Sequence, residues 1–450
     1  MKAAPGGRAS EPAPQYVGNS PTKGCLDVRQ LARLSVFLLA AVTGCAAPTS
    51  TASLPARSPT LGSGSNASGT FAVLYRFQGG LDGSNPVAKM IYANGALYGT
   101  TANGGIANSG GFGTVFQVSL SGKESTIYRF AGGSDGEYPQ GGLVDIGGVL
   151  YGTTYGGGAY GNGTIFSVTP SGTEHVIYSF KGNGDGSNPS TDLIDVNGTL
   201  FGTTTSGGAD DGSGAVFSST TSGSETAVYV FNGAPGGSPP TGQWGLQYSN
   251  GELFGTFQTF GADSSTYTVP GAVFALTTSG TGRILYTFPS DAHYYHSKNG
   301  AIPVAGVTPV GSRLFGTTKY GGSKCEHTKV YRGGCGTIFI VNASDNERVL
   351  YSFKGGSGDG NGPVAGLVYD GGTLYGTTAL GGPARAECTS GCGTVFAIST
   401  TGGERVLHFF RGGEFGTDPV STLTEVDGKL YGTTAKGGTS DHGIIFRVTP

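Results

Sequence analysis

Leu150-Tyr151-Gly152-Thr153-Thr154 is one copy of a phrase that this chain writes seven times. The first copy is Leu97-Tyr98-Gly99-Thr100, and the later ones carry their aromatic at Tyr151, Phe201, Phe254, Phe315, Tyr375 and Tyr431. The copies recur at intervals of 50 to 61 residues. A period of that size marks one supersecondary unit repeated, not seven independent domains.

Each unit carries four short apolar patterns. An alternating run such as Gly142-Leu143-Val144-Asp145 comes first, and the Leu-aromatic-Gly-Thr phrase second. A Gly-Thr-(Val/Ile)-Phe run is third, with its aromatic at Phe116, Phe166, Phe217, Phe274, Phe339, Phe396 and Phe446. The fourth resembles Val349-Leu350-Tyr351-Ser352-Phe353. Short runs rich in β-branched and aromatic residues read as strands.

The turns agree with that reading. Asn94-Gly95, Gly147-Gly148, Asn197-Gly198, Asn250-Gly251, Gly371-Gly372 and Asp427-Gly428 separate the first and second strands, and Gly311-Ser312 fills the slot in the fifth unit. Such pairs supply positive φ and force a tight antiparallel hairpin. Ser121-Gly122, Ser171-Gly172, Ser222-Gly223 and Ser279-Gly280 mark a second hairpin, between the third and fourth strands.

Four-stranded antiparallel units repeated radially make an all-β propeller, here seven-bladed over residues 70–450. The folded part opens on a fourth-type strand, Phe71 to Phe77, and closes just after a third-type strand, Ile444 to Val448. The N-terminal strand is therefore expected to complete the last blade and lock the ring, removing exposed edges. The aromatic of the phrase is expected to pack between blades, and the Gly after it to let neighbouring backbone approach closely.

Composition sets the outer bounds. Of 450 residues 86 are Gly, yet no three-residue period is present, which excludes collagen. Aromatics at 10% exceed what a disordered chain carries. Net charge is -3 and the few Lys and Arg are scattered, so no basic footprint for nucleic acid exists.

The N-terminus reads as an export signal. Arg29 and Arg33 precede the apolar run Leu34 to Val42, which is far short of the roughly 20 residues that span a bilayer. A basic flank, a short apolar core and small residues describe a signal peptide. The run ends Val42-Thr43-Gly44-Cys45, which resembles a bacterial lipobox with Cys45 as the lipidated residue. Residues 1–45 are then the signal, and residues 46–69 a Ser/Pro/Gly tether. Cleavage near Ala46-Ala47 is the alternative and would discard Cys45. By resemblance to Gram-negative lipoproteins, Ala46 beside Cys45 favours the outer membrane, facing the periplasm or the cell surface.

The repeated string Gly-Leu-Val-Asp, Leu-Tyr-Gly-Thr-Thr, Gly-Gly, Gly-Thr-Val-Phe resembles the GloVer-type "choice-of-anchor" tandem-repeat family of exported bacterial surface proteins. The likeness covers residues 71–450 and implies export with variable anchoring. It implies no activity, substrate or catalytic residue. The fourth unit departs from the pattern with Gly255-Thr256-Phe257.

Irregular loops are the candidate site. Phe257 to Pro270 holds Phe260 and Tyr267; Pro289 to Gly300 holds His293, Tyr294, Tyr295 and His296; Lys319 to Gly334 holds Tyr320, His327, Tyr331 and Arg332. All three belong to blades 4 and 5, and long loops on a rigid scaffold are where function concentrates. Exposed Tyr rings suit sugars or protein partners. Simple loop growth is the bland alternative. A zinc site from His293, His296 and His327 would need three or four ligands brought together, which the spacing does not force. The turn Asp-Gly-x-x-Pro, as in Asp82-Gly83, Asp135-Gly136 and Asp185-Gly186, is read as structural, because one Asp per loop is too few for calcium. No triad order, nucleophile motif or paired carboxylates mark catalysis, and the chain has one Trp, Trp244.

In an exported chain Cys325 with Cys335, and Cys388 with Cys392, read as disulfides at equivalent places in successive blades. Cys25 leaves with the signal.

The expectation is a lipid-anchored binding module for a glycan or envelope protein, with no cofactor, no nucleic acid and membrane contact through the lipid alone. The rival expectations are a polysaccharide lyase or hydrolase using one of the three loop His residues, and a structural spacer.

Overall fold

The computed structural model describes residues 67–106, 110–208, 214–231, 245–257, 271–289, 297–323, 325, 333–342 and 347–450. Seven four-stranded antiparallel sheets follow one another. Blade 1 runs Ile91–Ala93, Ala96–Thr101, Thr114–Ser119 and Glu124–Arg129, from inner to outer strand. Blades 2 to 6 repeat this order over 144–179, 194–230, 247–287, 308–352 and 368–409. Blade 7 takes Thr424–Val426, Lys429–Thr434 and Ile444–Thr449 from the end of the chain and Thr70–Arg76 from its start. Thr70 pairs with Thr449 and Arg76 with Ile444, which is the expected closure. Each first strand lies against the first strands of both neighbouring blades, so a ring of seven surrounds the axis.

The inner hairpins have the expected geometry. Asn94 and Gly95 have φ of 50° and 81°, and Asp427 and Gly428 have 52° and 73°. Both central residues of a type I′ turn sit there, which Asn, Asp and Gly tolerate. The outer hairpins are longer: Gly122 N–H bonds Ser119 O and Ser119 N–H bonds Lys123 O, so Gly122 at φ 93° closes a three-residue loop.

Each residue of the phrase has a separate job. Leu150 packs back onto blade 1, in a core with Tyr98, Val115 and Phe130. Tyr151 packs forward onto blade 3, with Leu193, Leu200 and Phe217. Burying one such aromatic stabilises by roughly 1.5–3 kcal/mol. In five blades the first Thr bonds the next blade, as Thr100 Oγ1 does to Gly141 O at 3.0 Å and Thr433 Oγ1 to Pro86 O at 2.7 Å across the closure. Thr153 Oγ1 has no partner, and Thr203 pairs with Thr191 of its own blade. In blades 1, 2, 5 and 6 the second Thr pairs with a third-strand Thr, as Thr154 does with Thr164 at 2.8 Å, while Ala215 and Ile444 stand there in blades 3 and 7. In blade 4 both partners change together, and Phe257 stands opposite Ala272.

The glycine of the phrase serves a different purpose from the one its sequence suggests. Gly152 lies opposite Phe166 on the neighbouring strand of its own blade. A Cβ on Gly152 would stand 2.6 Å from Phe166 Cζ and 2.9 Å from Leu143 Cδ2. The same ring tip crowds Gly99, Gly202, Gly376 and Gly432, each 2.6 Å from the equivalent Phe. The residue is absent of side chain to seat a ring, not to admit a backbone. Gly152→Ala is expected to cost about 1–3 kcal/mol by overpacking, read as a fall in denaturant midpoint. Adding Phe166→Leu should recover part of it; a neutral Gly152→Ala would refute this role.

Those third-strand rings also join the blades. Each receives, edge-on, the Phe that ends the previous blade's fourth strand. Phe130 meets Phe166 with centroids 5.0 Å apart, Phe180 meets Phe217 at 5.0 Å, and Phe410 meets Phe446 at 5.1 Å. Edge-to-face pairs add about 0.5–1.5 kcal/mol beyond burial. A bulge in the fourth strand, for instance between the partners of Val115 and Phe116, sets up this Tyr-x-Phe ending.

The Asp-Gly turn is structural, as expected, and holds more than its own backbone. Asp135 accepts Tyr128 Oη–H at 2.6 Å and Ala131 N–H at 2.6 Å. Tyr75 with Asp82, Tyr178 with Asp185 and Tyr351 with Asp359 repeat the pair at 2.6–2.8 Å. A Glu from the next blade faces each Tyr hydroxyl: Glu124, Glu174, Glu225 and Glu404. Burial, then the neighbouring Asp, push Glu174, Glu225 and Glu404 up to about 7. At the closing junction His408 replaces the Tyr and Phe71 replaces the Glu; their rings stack at 3.7 Å, inclined by 2°.

Candidate functional site

The two ends of the barrel of blades differ. One end carries the hairpins between first and second strands in all seven blades and between third and fourth in blades 1 to 6, and these stay short. Length varies at the other end, in the links from second to third strand and from one blade to the next. The two longest links, Thr287 to Thr308 and Thr318 to Thr337, lead into blade 5 and lie within it, whereas Phe257 to Ala272 is no longer than links of other blades.

Of the residues the sequence nominated, Phe260, Tyr267, His293, Tyr294, Tyr295, His296, His327, Tyr331 and Arg332 lie outside the described residues, as does Cys45. Tyr320 is described and half-buried at the root of its loop. Its backbone exchanges two hydrogen bonds with Ala301, at 2.9 and 3.0 Å, and Thr318 Oγ1 donates to its carbonyl at 2.8 Å. Lys319 Nζ sits 5.4 Å from the ring centroid. The strand end therefore fixes the backbone of Tyr320.

Both cysteine pairs form disulfides, each with Cα atoms 5.2 Å apart. Cys335 and Cys392 are buried just ahead of their third strands, so each bridge clips a long loop to its base. Beside Cys388–Cys392 lies a polar recess lined by Glu387, Asp418 and Lys436. Its charges are already engaged: Lys436 pairs with Asp418 at 3.5 Å, and Glu387 accepts Gly413 N–H at 2.6 Å. Among the described residues, no group of three or more His, Cys, Asp or Glu could hold a metal ion.

A second recess sits on the axis, at the loop-bearing end. Its volume is about 60 Å³, and six of the seven blades line it. The wall comes from the position just before the first buried apolar residue of each blade. In blade order that position holds Lys89, Gly142, Asp192, Gly245, Gly306, Gly366 and Thr422. The glycines are close-fitted: a Cβ on Gly142 would lie 2.7 Å from Asp192 Oδ1 and 2.9 Å from Lys89 O.

Two of the seven positions are charged. Asp192 Oδ1 accepts Gly142 N–H at 2.5 Å. Burial pushes its carboxyl up to about 6, opposed by the Gly142 amide and by Lys89. Lys89 is half-buried and has no hydrogen bond or ion pair to any described residue. These two residues escaped the sequence reading, which searched long loops. Their signal was a break in register: two charges in a position that four other units fill with Gly.

The repeat model described as the Gloeobacter/Verrucomicrobia repeat matches residues 60–270, 111–330 and 265–450. No curated protein sequence matches the chain. Among solved structures, the chain is similar to a periplasmic gluconolactonase of Pseudomonas aeruginosa, at 16% identity over 72% of this chain and 84% of that one, with a TM-score of 0.43. A gluconolactonase of Xanthomonas campestris matches at 13% identity, over 67% and 82%, with a TM-score of 0.36. A putative 6-phosphogluconolactonase of Bacteroides uniformis matches at 13% identity, over 75% and 89%, with a TM-score of 0.44. With the repeat model spanning every blade, the chain belongs to the Gloeobacter/Verrucomicrobia repeat family.

Proposed function

We propose that this protein is an exported binding module of the bacterial envelope, held by a lipid on Cys45, that presents a glycan-binding face on blades 4 and 5. One observation carries the reading: link length varies at only one end of the propeller, and its two largest values meet at blade 5, one of them joining it to blade 4. The composition of those loops supports a sugar, since Tyr rings stack on pyranose faces while His and Arg donate to hydroxyls.

The point of entry of the chain fits the anchor. Ser68 and Gly69 donate to Val406 O and Leu407 O on the outer strand of blade 6, and Thr70 lies beside Thr449. These residues are at the short-hairpin end.

A glycan array probed with the full chain, purified with its disulfides oxidised, tests the reading. Saturable binding to one sugar class is expected. Tyr294→Ala combined with Tyr295→Ala should weaken it at least tenfold without moving the melting temperature. Unchanged binding in that double variant would sink the assignment to blades 4 and 5.

A further inference from the structure

The axial recess deepens the reading above, because it selects a kind of glycan. The Lys89 ammonium reaches water at the recess and makes no hydrogen bond to a described residue, so it can take an anionic partner there. A recess of about 60 Å³ admits a few water molecules or one small charged group. Lys89 and Asp192 are its only charged lining residues.

The amides around the ring show what the group would meet. Gly142 N–H donates to Asp192 in the next blade, and Gly366 N–H donates to Thr422 Oγ1 in the next blade at 3.0 Å. Each of these amides turns toward the following position of the ring. Asp192, Gly245 and Gly306 are each followed by a glycine, so no side chain waits for their amides. Backbone N–H groups with no side-chain acceptor, beside the Lys89 ammonium, suit an anion. Gly245, Gly306 and Gly366 keep their part of the recess wall free of side chains.

We propose that Lys89 and the glycine arc hold a carboxylate on the propeller axis, with the Asp192 carboxyl facing it across the recess. The carboxylate can belong to an acidic sugar residue of a glycan seated on the loop face, or to a free small acid. Asp192 sets the pH range: its raised pKa lets it take a proton and face the incoming anion uncharged. Lys89 is the one other charged group against it.

Ligand-observed NMR with the full chain and three probes separates the cases: galacturonic acid, its neutral counterpart galactose, and sodium acetate. Galacturonic acid is expected to bind at least tenfold more tightly than galactose, with acetate competing. Lys89→Gln should erase the preference, Lys89→Arg should keep part of it, and Asp192→Asn should keep it while flattening its change between pH 5 and 7. Thermal melts matching the parent establish that the variants fold. Acetate binding that depends on Lys89, with no sugar bound, would uphold the axial site and remove the glycan reading. Equal binding of the two sugars, a preference that survives Lys89→Gln, or no binding of either acid would overturn the axial site, while a neutral glycan on the array would still support the loop face.

Discussion

A chain lacking residues 67–77 is expected to lose cooperative folding. The segment supplies the outer strand of blade 7, so its removal strips the partner from Ile444–Thr449 and leaves an open edge. It also removes Phe77, which is fully buried against Phe116 at 5.3 Å. Truncating a buried Phe alone costs about 3–5 kcal/mol, and native stability is on the order of 5–15 kcal/mol. Phe71 goes too, with its stack on His408. Thermal unfolding followed by circular dichroism should show no sharp transition. A permuted chain that carries residues 67–77 after Pro450 should regain it, because Thr70 and Thr449 are already partners and a short turn can join them. A truncated chain that melts like the parent would mean the ring does not depend on this closure.

Stability is expected to fall as pH rises from about 5 to 8. Each Tyr hydroxyl gives its proton to an Asp, so the Glu facing it can bond only by donating a proton of its own. Glu174, Glu225 and Glu404 each keep a buried Oε1 with no hydrogen-bond partner; Tyr286, which faces Glu347, has no Asp and accepts Asn299 Nδ2–H at 3.2 Å instead. Burial holds Glu347 up to about 6 and, with the nearby Asp, the other three up to about 7. Unfolded glutamates titrate near 4.3. Between these values the folded chain binds more protons than the unfolded one, so stability declines with rising pH. The decline starts near the unfolded pKa and is complete above about 7. His408 works the other way: burial, then Arg411, hold it down to about 3. Its contribution is full above the unfolded value near 6.5 and is lost as pH falls toward 3. Seven carboxyls are raised, Asp192, Glu124 and Asp359 among them, against one lowered imidazole, so the maximum should lie on the acid side of neutrality. The glutamates are partly exposed, and solvent screening keeps each contribution small. A drop in melting temperature of a few degrees from pH 5 to pH 8 is expected. Replacing Glu174, Glu225 and Glu404 together by Gln should flatten the slope and raise the melting temperature at pH 8. A slope that survives the triple variant would place the titration elsewhere.

Much of the fold was legible because its signals are local. A two-residue turn such as Asn94-Gly95 names its own backbone angles, and the alternation around it names the strand. The closure was legible by counting strand types, since an unmatched strand at each end has one partner available. The meaning of Gly152 was not legible: the ring that needs its space, Phe166, is fourteen residues away and meets it only through strand register. The axial charges were hidden for a related reason. Nothing near Lys89 in the chain marks it, and Asp192 reaches Gly142 only because the ring brings one blade round to the next.

By itself the sequence determined that there are seven units, that each folds as four antiparallel strands, and that the first strand completes the last unit. Those outcomes follow from propensities, turn residues and periodicity, which act over a few bonds. The tertiary structure alone decided which carboxyls stay protonated between blades, which rings interlock, and which two charges meet at the axis. Those outcomes depend on burial and on distances between residues more than thirty positions apart, and both exist only once neighbouring blades have packed.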